Sequence, residues 1–266
     1  MSPLPTPHGV TIYYWPCSLV LLAPSLLLDR PTSPLCATVR ISCSGPYLIE
    51  VDGEVITTRA TLVAPKAGRK RVAALNSDIA LFYLPVNAPE NQGLKTVLGD
   101  RSMVELDIAG FEPYLPRILA AMREAAEPQE IHNLVRAVVA TIVGQQAPAA
   151  RRQDPRVTEA CRILDATPLC DVRLADVARQ LCLSPARLRE LFRAQTGFTI
   201  SEYARWRGVW RAALLWKRGL TLTEVAVEAG FHDLAHADRA FNEVFGMNPS
   251  SVIDPRFVRL VNCELP

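Results

Sequence analysis

The sequence predicts an α+β chain of two domains: an N-terminal β-barrel with attendant helices, then an all-α domain holding two helix-turn-helix units. Three observations predict it. Nine short runs of β-forming residues, separated by turn residues, fill positions 10–85. Helical periodicity takes over from about Met103. Near the C-terminus one local pattern occurs twice, as LADVARQLCLSPARLRELFRAQTGF (Leu174–Phe198) and LTEVAVEAGFHDLAHADRAFNEVFG (Leu222–Gly246). Each copy reads as a short amphipathic helix, a tight turn and a second amphipathic helix.

A chain of 266 residues, 49% of them hydrophobic, is long and apolar enough for two cores and is not a disordered sequence. A net charge of +2 argues neither for nor against nucleic acid, so the local distribution of charge has to decide. The cysteines, at 17, 36, 43, 161, 170, 182 and 263, are odd in number and scattered, with no C-x-x-C pair. They fit reduced, mostly buried thiols and a cytoplasmic location. The apolar run Cys17–Leu28 is broken by Pro24 and is too short to span a bilayer, so no membrane partner is expected.

Residues 1–9 carry three prolines and read as a flexible tail. The expected strands are Thr11–Trp15, Leu19–Ala23, Leu26–Leu28, Ala37–Ser42, Tyr47–Val51, Glu54–Thr58, Ala60–Val63, Arg71–Ala74 and Ile79–Leu84. Asp52-Gly53 between two of them is a hairpin signal, because that pair suits a type I′ turn. The cluster Gly68-Arg69-Lys70-Arg71 reads either as a solvated strand end or as an anion site or DNA-proximal patch.

Helical stripes follow in 101–143. Tyr114, Leu115, Ile118, Leu119 and Met122 share one face, and Ile131, Leu134, Val135, Val138, Val139 and Ile142 share another. Residues 144–153 are polar, contain Pro148 and read as a linker. Asp154-Pro155 opens the second domain, Asp154 as N-cap and Pro155 in the first turn. That domain is expected to span 154–254, with its units near 174–195 and 221–244, and 255–266 is expected to be a tail.

In the first unit Ser184-Pro185 starts the second helix, and Leu188, Leu191 and Phe192 face the core. Ala186, Arg187, Arg189, Glu190 and Arg193 are left pointing outward. Arginines on such a face can pair bidentately with guanine or neutralise phosphate. The connecting helix, about Ser201–Arg218, buries Tyr203, Trp206, Val209, Trp210, Ala213 and Leu214 and offers Arg205 and Arg207 along its flank. In the second unit Thr221 and Glu224 form a capping box, Gly230 makes the turn and Asp233 caps the second helix. Leu234, Ala235, His236 and Arg239 are its outward candidates. These eleven residues form the expected DNA-binding set.

The markers LSP..L...F....G (Leu183–Gly197) and EVA...GF......RAF...FG..P (Glu224–Pro249) are similar to the DNA-binding domain of AraC/XylS-type transcription regulators. The resemblance covers about 100 residues and implies a sequence-specific regulator that binds double-stranded DNA. The stretch Gly45–Leu84 resembles the cupin-like barrel at the N-terminus of many such regulators, which places the barrel at 10–100 and a dimerising or barrel-covering segment at 101–143. The helices of that segment are expected to divide the work, one covering the barrel and one joining a partner. What the resemblance implies further is a homodimer, contact with RNA polymerase and a small-molecule effector. Metal-binding cupins use His and acidic ligands. Here the corresponding loop reads Pro65-Lys66-Ala67-Gly68-Arg69, so no metal, cofactor or enzymatic role is expected. The barrel is left either with an apolar effector cavity or filled.

Several residues depart from the family pattern. Cys182 stands where the first turn usually has Gly, Arg173 where Ser or Thr usually caps, and Gly208 where Arg is frequent. Charge also divides. Arg173–Arg218 holds ten basic and three acidic residues, a net of +7, while Gly219–Asp254 holds one basic and six acidic, a net of −5. Phosphate neutralisation dominates DNA affinity, so the first unit is expected to bind DNA and the second to dock weakly or to face RNA polymerase. The competing reading is a non-catalytic interaction protein whose acidic second unit contacts another protein.

Overall fold

The β-forming runs of the first half pair into two sheets in the computed structural model, which describes residues 9–85, 88, 91, 93–144, 154–215, 219–252, 254 and 256–263. The strands are β1 Val10–Trp15, β2 Ser18–Ala23, β3 Leu26–Leu28, β4 Ala37–Ser42, β5 Tyr47–Val51, β6 Glu54–Thr58, β7 Ala60–Val63, β8 Arg69–Ala74, β9 Ile79–Leu84, β10 Met103–Glu105 and β11 Val258–Asn262. The helices are α1 Gly93–Leu98, α2 Leu115–Arg123, α3 Pro128–Val143, α4 Pro155–Ala166, α5 Leu174–Gln180, α6 Pro185–Thr196, α7 Ile200–Leu215, α8 Leu222–Glu228, α9 Leu234–Phe245 and α10 Pro249–Val252. The chain divides into two units, Met1–Ala150 with Phe245–Pro266, and Arg151–Val244.

In the first unit one sheet runs β10-β7-β4-β9-β2-β1-β11 and the other β3-β8-β5-β6. Strand alternation gives β4 two buried faces with different neighbours. Ala37, Val39 and Ile41 join Val20, Leu22 and Phe82 in a core closed by Ile118 of α2 and by Ile131, Leu134 and Val138 of α3. The other face of the large sheet looks toward the small one. Tyr47 Oη of β5 and Thr61 Oγ1 of β7 share a hydrogen bond of 2.6 Å across that space. Asp52 and Gly53 form the β5–β6 turn with φ of 48° and 87°, the left-handed pair that the Asp-Gly signal requires.

Two expectations change here. Met103–Glu105 is not helical: β10 pairs antiparallel with β7, from Met103↔Val63 to Glu105↔Thr61. Its three residues are too few to show a period. The apolar faces of both α2 and α3 lie in one core with the large sheet. Residues 255–266 are not simply a tail. Strand β11 pairs parallel with β1, from Val10↔Val258 to Tyr14↔Asn262, and Cys263 N–H donates to Tyr14 O at 2.8 Å. The His132 ring lies 2.8 Å from Cys263 O, which ties the same segment to α3. Of the linker read at 144–153, and of the N-terminal tail, only Gly144 and Gly9 lie within the described residues.

In the second unit Asp154 caps α4 by accepting from Arg156 N–H at 2.9 Å, with Pro155 in the first turn. Helix α7 is buried on more than one side. Tyr203, Ala204, Trp206, Gly208, Val209 and Trp210 are all buried, while Ala213 and Leu214 are only half-buried. The Trp206 and Trp210 rings meet edge to face at 5.4 Å, and Phe192 of α6 meets Tyr203 at 5.6 Å. Lys217 and Arg218, read as the end of this helix, lie outside the described residues.

Candidate nucleic-acid interface

Both leading helices end in the same hydrogen-bonded turn. In the first helix-turn-helix pair, α5 and α6, Leu183 N–H donates to Ala178 O at 2.9 Å and Cys182 N–H to Arg179 O at 3.1 Å. In the second, Phe231 N–H donates to Ala226 O and Gly230 N–H to Val227 O, both at 2.9 Å. This is the Schellman pattern, in which the residue after the cap adopts a left-handed conformation. Gly230 has φ +90°, and a Cβ there would stand 2.5 Å from Leu169 N. Cys182 has φ +53° and carries its side chain in solvent. The departure at Cys182 thus leaves the turn geometry intact and adds strain to it.

The reading helices start as their sequence signals require. Ser184 Oγ accepts from Arg187 N–H at 3.2 Å, with Pro185 in the first turn of α6. Asp233 Oδ1 accepts from His236 N–H at 2.7 Å at the start of α9. That bond, and after it the one with His232, hold the Asp233 carboxyl below its ordinary pKa. The leading helix α8 carries the reciprocal box expected of Thr221 and Glu224. Backbone donation from Thr221 lowers the Glu224 pKa.

Placement of the predicted set is uneven. On α6, Leu188, Leu191 and Phe192 are buried, and Ala186, Arg187, Arg189, Glu190 and Arg193 are all exposed. Arg187 Nη1 lies 2.8 Å from Glu190, so one acid on the face partly neutralises one base. On α9, Ala235 and Arg239 are exposed, while Leu234 and His236 are half-buried. The His236 ring packs edge-on against Phe231 at 5.1 Å, which turns it toward the core of its own unit.

The two α7 arginines of the expected set, Arg205 and Arg207, have acidic partners. Arg205 lies 3.9 Å from Glu243 of α9. Arg207 Nε lies 2.6 Å from Asp165 Oδ1 of α4, and Tyr203 Oη donates to the same oxygen at 3.0 Å. Burial raises the Asp165 pKa even though Arg207 and Tyr203 pull it down. Arg207 thus fastens α7 to α4. Arg211 reaches the carbonyls of Asp165 and Ala166 at 3.5 and 3.4 Å. Sequence reading missed Asp165, whose only signal was an acid next to the apolar residues of α4. It also found no use for Gly208. A Cβ at that position would stand 3.1 Å from the Phe231 ring and 3.3 Å from Leu169, so a side chain there would press on both neighbours.

Free charge along Arg173–Arg218 is consequently narrower than the count of ten bases suggested. Arg207 and Arg211 turn to α4, Arg173 donates to Cys170 O at 2.7 Å, and Arg179 pairs with Asp176. Arg187, Arg189 and Arg193 remain together on the open face of α6. Among the described residues no group of three or more His, Cys, Asp or Glu side chains is placed to hold a metal ion, and no helix is long and apolar enough to cross a membrane.

Residues 177–254 match a family described as a helix-turn-helix domain. The arabinose operon regulatory protein of Escherichia coli (strain K12) is 34% identical over 99 residues, 36% of this chain and 34% of that protein. The bifunctional transcriptional activator/DNA repair enzyme Ada of the same strain is 35% identical over 107 residues, 39% of this chain and 28% of that protein. The chain thus spans about a third of the length of these curated relatives. Over 88% of this chain and 96% of the other, the fold is similar to an apo, singly substituted form of ToxT from Vibrio cholerae strain SCE256, with a TM-score of 0.58 and 11% identity. Unsaturated fatty acid bound wild-type ToxT of that strain gives 0.55 at 11% identity, over 88% and 94%. At such identities the likeness is one of fold alone. The doubled turn, its caps and these matches agree: residues 177–254 form a helix-turn-helix domain similar in sequence to part of the arabinose operon regulatory protein.

Proposed function

We propose that this chain is a sequence-specific DNA-binding transcription regulator, with α6 as the principal reading helix and α9 as a weaker one. The observation that carries the reading is the open face of α6, where Arg187, Arg189 and Arg193 stand exposed on a capped helix whose other side is buried. Such a face supplies both phosphate neutralisation and bidentate contact with guanine in the major groove. Helix α7, with 16 residues, spans roughly 24 Å between the two units. Successive major grooves are about 34 Å apart, a distance that α7 and its flanking turns are on the scale to bridge. Exposed Ala235 and Arg239 offer α9 a short-chained surface with one base, which supports weaker docking there. Arg205 would reach DNA only by giving up Glu243.

The regulator would act as a homodimer in the cytoplasm and would not catalyse a reaction. The apolar stripes of α2 and α3 are buried on the large sheet, so pairing of two copies would use the outward polar rims of these helices. An acidic flank on the second unit suits contact with RNA polymerase. The first unit would answer to a small-molecule effector, a role in keeping with the fatty acid bound by the similarly folded ToxT.

A quantitative mobility-shift titration at fixed salt tests the assignment of the reading helices. Arg189→Ala is expected to weaken binding at least tenfold and to lower the salt slope by about one. Arg239→Ala should cost a few-fold at most. Equal losses for the two variants would refute the division of labour.

A further inference from the structure

Inside the first unit lie two guanidinium groups and, among the described residues, no buried acid. Because Ala37, Val39 and Ile41 of β4 face the helices, Thr38, Arg40 and Ser42 face the small sheet. Arg40 is 0% exposed, and Arg69, at the start of β8 in the small sheet, is 1% exposed. The cluster 68–71 therefore splits. Lys70 and Arg71 are solvated, and Arg69 alone turns into the barrel. Every other buried polar side chain of the described residues is Thr, Ser or Asn.

These cations are not satisfied by the protein. Among the described residues no group accepts a hydrogen bond from Nε, Nη1 or Nη2 of Arg40, nor from Nε or Nη2 of Arg69. Arg69 Nη1 donates to Tyr83 Oη at 3.5 Å, a long bond. Burial, and after it the charge of Arg69, lower the Arg40 pKa to about 10, which leaves the side chain charged at neutral pH. Removing a guanidinium from water without a counter-charge costs several kcal/mol, and a second cation nearby adds repulsion. A fold that spends its interior this way is built to receive negative charge.

We propose that Arg40 and Arg69 bind the carboxylate of a small organic acid inside the barrel, with the Tyr83 hydroxyl as a third donor. The reading rests on the first unit being an effector domain. An oxyanion of any source would satisfy the two guanidiniums, and arginine forks match planar carboxylates and phosphates alike. The surroundings favour a carboxylate on an apolar body. Leu81 pairs directly with Arg40 in the β4–β9 register, and Val72 pairs with Ile49 on the small sheet, all of them buried.

The test uses the purified full-length chain, with benzoate and octanoate as acids, methyl benzoate as the uncharged control and inorganic phosphate as the other oxyanion. Calorimetric titration and thermal melting are read together. At least one acid should bind saturably and raise the melting temperature, and the ester should do neither. Arg40→Met and Arg69→Met should each weaken acid binding tenfold or more. Without ligand they should melt at or above the parent, because a neutral side chain of similar volume replaces an unpaired buried charge. The proposal is overturned if neither acid binds, if phosphate alone binds, if binding survives both substitutions, or if the ligand-free variants unfold. A DNA mobility shift on the same preparations keeps the regulator reading separate: acid binding without DNA binding would sink that reading and leave this one standing, and the reverse would do the opposite.

Discussion

At Arg207 the guanidinium ends against Asp165, which predicts a role in stability. Arg207→Ala should destabilise the second unit by about 1–2 kcal/mol, seen as a lower melting temperature in circular dichroism. Arg189→Ala should leave that temperature unchanged. An unaltered Arg207→Ala melt would return this residue to the DNA face. The two turn residues give an opposed pair. Cys182 holds φ +53° against its preference, so Cys182→Gly should stabilise by up to about 1 kcal/mol. Gly230→Ala must both adopt φ +90° and place a Cβ 2.5 Å from Leu169 N, and should destabilise by roughly 2–4 kcal/mol. Denaturant melts of the two variants moving in the same direction would contradict this account of the turns. Roles of this kind were only half legible beforehand. The caps at Ser184, Thr221 and Asp233 act within three residues and show in the sequence. The partner of Arg207 lies 42 positions away on another helix, and nothing in the local pattern reveals it.

Among the elements, the strands were the most legible, because short runs of β-forming residues between turn-residue breaks mark each one independently. Strands β10 and β11 escaped for opposite reasons. β10 has three residues, too few for a period. β11 reads VRLVN, a reasonable strand, but it pairs with β1 across nearly the whole chain, and such a partner leaves no local trace. The pairing makes a definite claim. Removing residues 256–266 takes away the hydrogen-bonded partner of β1, the apolar contribution of Val261 and Cys263 to the core, and the acceptor of His132. The truncated chain should lose several degrees from the melting transition of the first unit, while the second unit, ending at Val244, keeps its own. A full-length melting profile from the truncated chain would show that β11 contributes nothing. Helices α2 and α3 make the complementary point. Their stripes were visible in the sequence, but a stripe does not say what covers it, and here both are covered by the large sheet of the same chain.

For the whole molecule, the central claim is that α6 and α9 read DNA together but unequally. Charge counted along the sequence pointed that way, and the structure narrows the reason: Arg173, Arg179, Arg205, Arg207 and Arg211 are held by neighbours, and the face that remains is the triad on α6, where Arg187 pairs with Glu190 of the same helix. Two reading helices on one rigid connector should recognise two short half-sites spaced by one turn of duplex, about 10 base pairs. Selection of bound duplexes from a randomised pool by the full-length chain is the most direct measurement. The account predicts an enriched motif of two half-sites one helical turn apart, with high information in one half that is lost with Arg189→Ala and low information in the other. Failure to enrich any motif, or a strong half-site that survives Arg189→Ala unchanged, would contradict it.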